Sequence, residues 1–208
     1  GQRERSPAEA AVMRRLRVFL TMRWFFIIGV LITTLVATNI FRISFPTFPV
    51  YLICASMLLY NLVLMYQVRG LETLHGDLVR QKVRTYGISH IVLDLLAFTA
   101  ILHFTGGIEN PFLFLVVLHI TGGSTLLRRG AVFWIATQAI LMVLLLVLLE
   151  YAGVIPHINL EGLVAPTLYR ETGYILAVMV TLGGILYATA YMATAISGEL
   201  RKRQREVV

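Results

Sequence analysis

Six long apolar runs constrain this chain more than any other feature: residues 24–41, 48–66, 86–104, 111–127, 131–151 and 174–196. A helix that crosses about 30 Å of hydrocarbon needs about 20 mainly apolar residues, and each run has close to that length. The expected fold is therefore all-α: a polytopic membrane protein of six transmembrane helices. Composition agrees, with 58% hydrophobic and 14% charged residues, where soluble domains average roughly 45–50% and about 25%. One Cys and six Pro exclude a disulfide scaffold, collagen and a Pro-rich disordered chain. The first run is too long for a cleaved signal peptide, and no small-residue cleavage site follows it.

The net charge of +7 would fit a nucleic-acid partner were it gathered on one folded face. It is not. Of the eighteen Lys and Arg residues, all but Arg42 and Arg170 fall on one side of the six runs. They occupy the N-terminal segment, the second and fourth connections, and the C-terminal tail. By the positive-inside rule both termini are expected in the cytoplasm, where the charge meets anionic lipid headgroups. Membrane lipids are thus the expected partners, and nucleic acid is not.

The connections predict further detail. Residues 69–84 place Leu71, Leu74 and Leu78 at helical spacing, which fits an amphipathic helix on the inner leaflet with His75 solvated. Residues 153–173, with Pro156, His157 and Pro166, form the one long outer connection. After residue 196 the chain continues in charged helix formers, so the last span is expected to run straight on as a helix.

Ionisable residues inside spans are costly and mark functional sites by default. His90 and Asp94 in the third span are four residues apart, hence on one helix face. Ideal helix rise places Asp94 and His119 near the midplane at nearly the same level. His90, Asp94 and His119 are therefore expected to line one intramembrane polar pocket, with Asn61 and Gln138 able to join it. A structural Asp–His hydrogen bond between neighbouring helices and a ligand site are both open. No firm metal motif is present. Haem or metal ligation by His90, Asp94 and His119, with His103 as a further donor, is the alternative. A second group (His103, Glu109, Asn110, Glu150, His157 and Glu161) sits at the outer edge. A solvated rim is the expectation there, with a divalent-metal or proton-responsive site as the alternative.

The most specific signal lies between the third and fourth runs, in Gly106, Gly107, Ile108, Glu109, Asn110, Pro111 and Phe112. Glycines stop a helix and allow positive φ; Asn110 can cap the next helix, with Pro111 at its first position. A tight structural turn is one complete reading. The other is a headgroup slot with free backbone N–H donors and the Phe112 ring, which is what a quinone needs.

The pattern Gly-Gly-x-x-Asn-Pro-Phe in a hairpin between membrane helices resembles that of the RegB/PrrB-type redox-sensing histidine kinases. The Arg23-Trp24 pair opening the first run, followed by Gly29, is similar to the start of that domain. The resemblance implies a six-helix sensory domain joined to dimerisation and ATP-binding kinase domains, with ubiquinone bound at the heptapeptide. Cys54 lies inside the second run, so it does not correspond to the family's redox-active Cys, which is cytoplasmic. The resemblance does not extend to His90, Asp94 or His119.

Together these readings predict a multi-pass protein of the bacterial inner membrane in three parts. Residues 1–23 form a basic cytoplasmic segment, 24–196 the sensory domain, and 197–208 a helical linker towards a kinase core. This chain is expected to sense rather than catalyse, the full-length protein being a histidine kinase. Its cofactor is expected to be ubiquinone or menaquinone, held by Gly106, Gly107, Glu109, Asn110, Pro111 and Phe112. The resemblance implies as partners a second copy in a homodimer and a response regulator downstream; Gly184, Ala188 and Ala195 of the last span offer a dimer face or, more often for such residues, ordinary bundle packing. A small transporter or membrane enzyme is the remaining alternative; the runs lack paired Gly/Pro breaks and a dense set of carboxylates.

Overall fold

The computed structural model describes residues 7–70, 77–161, 163, 165 and 167–206. Every apolar run becomes a helix: α1 Pro7–Asn39, α2 Thr47–Gly70, α3 Asp77–Phe104, α4 Val117–Leu126, α5 Arg129–Tyr151 and α6 Thr172–Glu206. Five are long and apolar enough to cross a membrane by themselves. The fourth run differs. Its first six residues, Pro111–Val116, form a 3₁₀ helix that leads directly into the ten residues of α4. Six residues at about 2.0 Å and ten at about 1.5 Å reach roughly 27 Å, so the stretched first half lets a short run span the hydrocarbon.

Large apolar side chains cover the outside of the bundle, Phe25, Phe48, Tyr66 and Val180 among them. Such a surface belongs in lipid. The chain is a multi-pass integral membrane protein. Six crossings bring both ends of the chain to one face, here the terminal face. The α1–α2, α3–α4 and α5–α6 connections share the other, the hairpin face.

α3 is the central helix, packed on α1, α2, α4 and α5, while α6 lies against α4 and α5 at the periphery. The largest core joins α3, α4, α5 and α6 through Ile91, Leu95, Ile120, Ile135, Leu182 and Leu186. Helices α1, α2 and α3 share two smaller cores. One, towards the terminal face, contains Leu16, Leu20, Leu64 and Val83; the other, towards the hairpin face, contains Ile27, Met57 and Ile101. The layer between these two is polar.

Three details differ from the sequence expectations. α1 starts at Pro7, so much of the 1–23 segment is already helix, and Met13, Leu16, Phe19 and Leu20 are buried. The described residues of the 69–84 stretch belong to the two flanking spans rather than to a separate surface helix. Arg69 and Gly70 finish α2, residues 77–84 open α3, and Val79 and Val83 are buried against α1 and α2. Leu71, Leu74 and His75 lie outside the described residues. Residues 153–173 are not a loose loop: Leu160 is buried, and a β-bridge pairs Glu161 with Ser44 of the α1–α2 connection. The last span runs unbroken through Gly198 to Glu206, as its helix formers predict.

Candidate functional site

The polar layer is built on Arg23, which α1 carries about ten residues past Met13, roughly 15 Å along the helix. Its side chain is 2% exposed. A charge so placed must be paired and hydrogen-bonded. Nη2 donates to Asp94 Oδ2 of α3 at 2.7 Å, and Nη1 donates to Asn61 Oδ1 of α2 at 3.0 Å. The Tyr60 hydroxyl donates to the second oxygen of Asp94 at 2.5 Å. The guanidinium also faces the rings of Tyr60 and Phe19, at 4.9 and 5.3 Å from their centroids. One residue from α1, two from α2 and one from α3 thus form a neutral cluster, with Arg23 Nε and Asn61 Nδ2 left without a hydrogen-bond partner among the described residues.

The expected trio of His90, Asp94 and His119 is only partly assembled. His90, on the Asp94 face of α3, packs its ring against Tyr60, with centroids 5.8 Å apart. His119 of α4 packs between Phe26 and Phe98, each 5.8 Å away by centroid. Neither histidine hydrogen-bonds Asp94, whose partners are Arg23 and Tyr60. Asn61 joins the cluster through Arg23, while Gln138 on α5 is half-buried and lines no part of the cavity described next.

Beside the cluster lies a cavity of about 660 Å³ between α1, α3 and α4. Its walls are mostly apolar. Asp94, Arg23 and His119 meet it at mid-depth, and Asn110, Pro111 and Phe112 at the hairpin face, with Phe45 and Leu160 of the connections beside them. The volume suits one long-chain small molecule. His90 does not line it, so His90 and His119 do not face a common space.

The 106–112 turn is built as its sequence predicts. Gly106 and Gly107 have φ of 102° and 54°. Asn110 caps the next helix, its Oδ1 accepting from the Phe112 amide at 2.8 Å while its Nδ2 donates to Thr105. The expectation of free backbone donors fails for much of this turn: the amides of Glu109, Asn110, Phe112 and Leu113 all bond within it. Gly106, Gly107 and Glu109 do not line the cavity; Asn110, Pro111 and Phe112 do.

The outer polar group is not a solvated rim. Glu109 and Glu150 are buried, at 4% and 2% exposed, and only Glu161 fits the expectation. Glu150 binds His103 Nδ1 at 2.8 Å through one oxygen and His157 Nδ1 at 2.7 Å through the other. His157 Nε2 reaches Glu109 at 3.3 Å, and the other oxygen of Glu109 accepts from the Tyr169 amide at 2.7 Å. The His157 ring stacks on Tyr169, centroids 3.9 Å apart. Burial would lower the basicity of His157, but the hydrogen bond to Glu150 and the charges of Glu150 and Glu109 outweigh it and raise its pKa. Among the described residues no group of three or more His, Cys, Asp or Glu side chains is arranged to hold a metal ion.

With this geometry in hand, comparison with known families is informative: a family model for the PilS-like transmembrane domain matches residues 5–207. The chain belongs to that family. No curated protein and no solved structure matches it. A PilS-like domain is a six-helix membrane unit of the sensor-kinase type, which accounts for the α6 helix running on past the bundle. Sequence reasoning missed Arg23 and Tyr60 as parts of this domain's polar layer. The signal available was Arg23 itself, a basic residue directly beside an apolar run, with the apolar Val18, Phe19 and Leu20 before it.

Proposed function

We propose that this PilS-like domain is the input half of a RegB/PrrB-type histidine kinase and senses the redox state of the membrane quinone pool. The observation that carries the reading is the cavity, an apolar space of about 660 Å³ that runs from the 106–112 turn to the polar layer at mid-depth. A ubiquinone or menaquinone has the matching form, a small polar head on a long apolar chain. Asn110, Pro111 and Phe112 shape the cavity's outer end; Gly106, Gly107 and Glu109 fix the turn that presents them.

The distribution of Lys and Arg puts the terminal face in the cytoplasm of a bacterial inner membrane. A ligand shifts a two-state bundle only through different affinities for its states. α4 lines the cavity through His119 and packs on α6, the helix that would hand the shift to a kinase core and, through it, to a response regulator. Phosphotransfer belongs to that core, while this domain binds and signals. The outward small residues Gly184, Ala188 and Ala195 of α6 suit close approach of a second copy.

Gly29 lines the cavity, and a Cβ built there meets nothing within 4 Å. Gly29→Leu should therefore fill the space without disturbing the bundle. Lipid extracts of the purified wild-type protein should contain quinone, and extracts of Gly29→Leu should contain little. Wild-type protein from quinone-replete membranes that carries none would end the proposal.

A further inference from the structure

Glu109 and Glu150 are buried carboxylates at the hairpin face, and among the described residues their ion-pair partners are His103 and His157 alone. Three contacts join the four side chains. His103 Nδ1 meets Glu150 at 2.8 Å, His157 Nδ1 meets the other oxygen of Glu150 at 2.7 Å, and His157 Nε2 meets Glu109 at 3.3 Å. An ionised carboxylate and an unprotonated ring nitrogen both only accept, so each contact needs a proton of its own. Two neutral histidines bring two protons, whichever tautomer each adopts. The arrangement needs three. The third is an extra proton, held on His157 as an imidazolium or shared with a carboxyl, and without it one buried acceptor faces another.

The surrounding elements, as far as they are described, bring no Lys or Arg onto these carboxylates. The 3₁₀ turn Leu168–Arg170 offers the Tyr169 amide to Glu109 and the Tyr169 ring to His157, with Arg170 over that ring at 5.3 Å. From α6 the Tyr174 hydroxyl donates to the Ile108 carbonyl, and Glu161 and Glu171 are exposed. His103, its side chain 17% exposed, gives the cluster a route to solution. The extra proton bears on the cavity through the chain it fastens. His157 stands three residues before Leu160, which presses on Gly106 and, with Leu163, borders the hairpin-face end of the cavity. His157 on one side and the Tyr169 amide on the other tie that stretch down.

We propose that His103, Glu109, Glu150 and His157 form a proton-operated latch, in which the third proton fastens the 153–173 connection over the hairpin-face end of the cavity and its loss to solution releases that cover. The latch is closed at low pH. As pH rises, His157 keeps one proton for two carboxylates, lets go of one of them, and the connection lifts. This response goes beyond the quinone reading and holds whatever the cavity contains.

Backbone hydrogen exchange of the full chain in lipid nanodiscs, corrected for intrinsic rates, measures the latch. In wild type the opening of the connection, at Leu160 as well as at His157, should grow about tenfold per pH unit above the folded value, the dependence of a single proton. Glu109→Gln supplies the missing proton from its own amide: its oxygen still accepts from the Tyr169 amide, and its nitrogen donates to Nε2 of a neutral His157. The connection of this variant should stay protected at high pH with no slope, where a merely structural Glu109 would leave it loosened at every pH. Wild-type exchange independent of pH overturns the proposal. So does a Glu109→Gln variant that keeps the wild-type slope or is loosened throughout, and so does a loss of protection that spares Leu160. Should Glu109→Gln not fold, His157→Gln takes its place: exchange of the connection should be fast and equal at every pH, and a retained slope overturns the latch.

Discussion

Arg23 and Asp94 meet where neither charge is tolerable alone. Removing one partner of a buried pair strands the other, which costs about 3–5 kcal/mol, while replacing both with apolar groups is often close to neutral. Asp94→Asn should therefore lower the thermal midpoint in detergent sharply. The double variant Arg23→Met with Asp94→Leu should recover most of the loss. A double variant no more stable than the single one would show that the pair holds the three helices together rather than merely being accommodated. At the hairpin face the pH dependence has a definite sign. The pKa of His157 is raised by Glu150 and Glu109, so its protonated form stabilises the fold. That contribution is complete below the ordinary imidazole value of about 6.5 and is lost as pH rises through the higher folded value. Thermal midpoints measured across this range should fall with rising pH in wild type and stay flat in His157→Gln. At this scale the sequence is legible where a residue is unlike its neighbours, as Asp94 and His119 are. Arg23 reads as the boundary of an apolar run because its partners lie 38 and 71 residues away, and Tyr60 reads as one more aromatic in α2. Glu150 and His157 look solvated because helix ends normally are. Here His103, the 106–112 turn and Tyr169 close over them.

At the scale of elements, the 106–112 turn shows two separate demands on glycine. Gly107 has φ of 54°, and a Cβ there would lie 2.5 Å from the Glu150 carboxylate. Gly106 has φ of 102° and would meet Leu160 at 2.7 Å. Gly153 also has positive φ, at 70°, but faces open space. Gly153→Ala should thus cost only the conformational part, about 1 kcal/mol. Gly107→Ala should cost clearly more, since it also displaces Glu150 from His103 and His157. Denaturation of the two variants side by side measures the difference, and equal losses would mean that contact with Glu150 is unimportant. The helices themselves are well marked in the sequence, because a membrane span is set by length and apolarity alone. Their ends are not. α1 passes beyond Arg23 to Pro7, because Leu16, Phe19 and Leu20 bury one face while Arg14 and Arg17 stay exposed on another. The 3₁₀ start of the fourth span has a visible cause in Asn110 and Pro111, but its six-residue length has none in the sequence; it packs on α3.

For the whole molecule, the arrangement of helices separates the cavity from the helix that runs on past the bundle. The cavity borders α1, α3 and α4; α6 borders α4 and α5. α6 buries Leu182, Leu186 and Ala190 against the bundle and turns Gly184, Ala188 and Ala195 outward. From sequence spacing alone that small-residue face reads more readily as ordinary bundle packing than as a dimer contact. The structure removes the second option within one chain, because the bundle is packed by the opposite face. Lipid can cover the outward face, as can a second copy, and the two make different predictions for cross-linking. In membranes containing the full-length protein, oxidised Ala188→Cys should give a disulfide-linked dimer, whereas Leu186→Cys should give none. Cys54 will not interfere, being buried between α1, α2 and α3. If the domain signals through α6, the yield at Ala195→Cys, nearer the terminal face, should also change when the quinone pool is reduced. The Gly29→Leu variant, its cavity filled, should not respond in this way. Monomers at all three positions would mean that lipid covers this face of α6 and that any dimer is formed elsewhere.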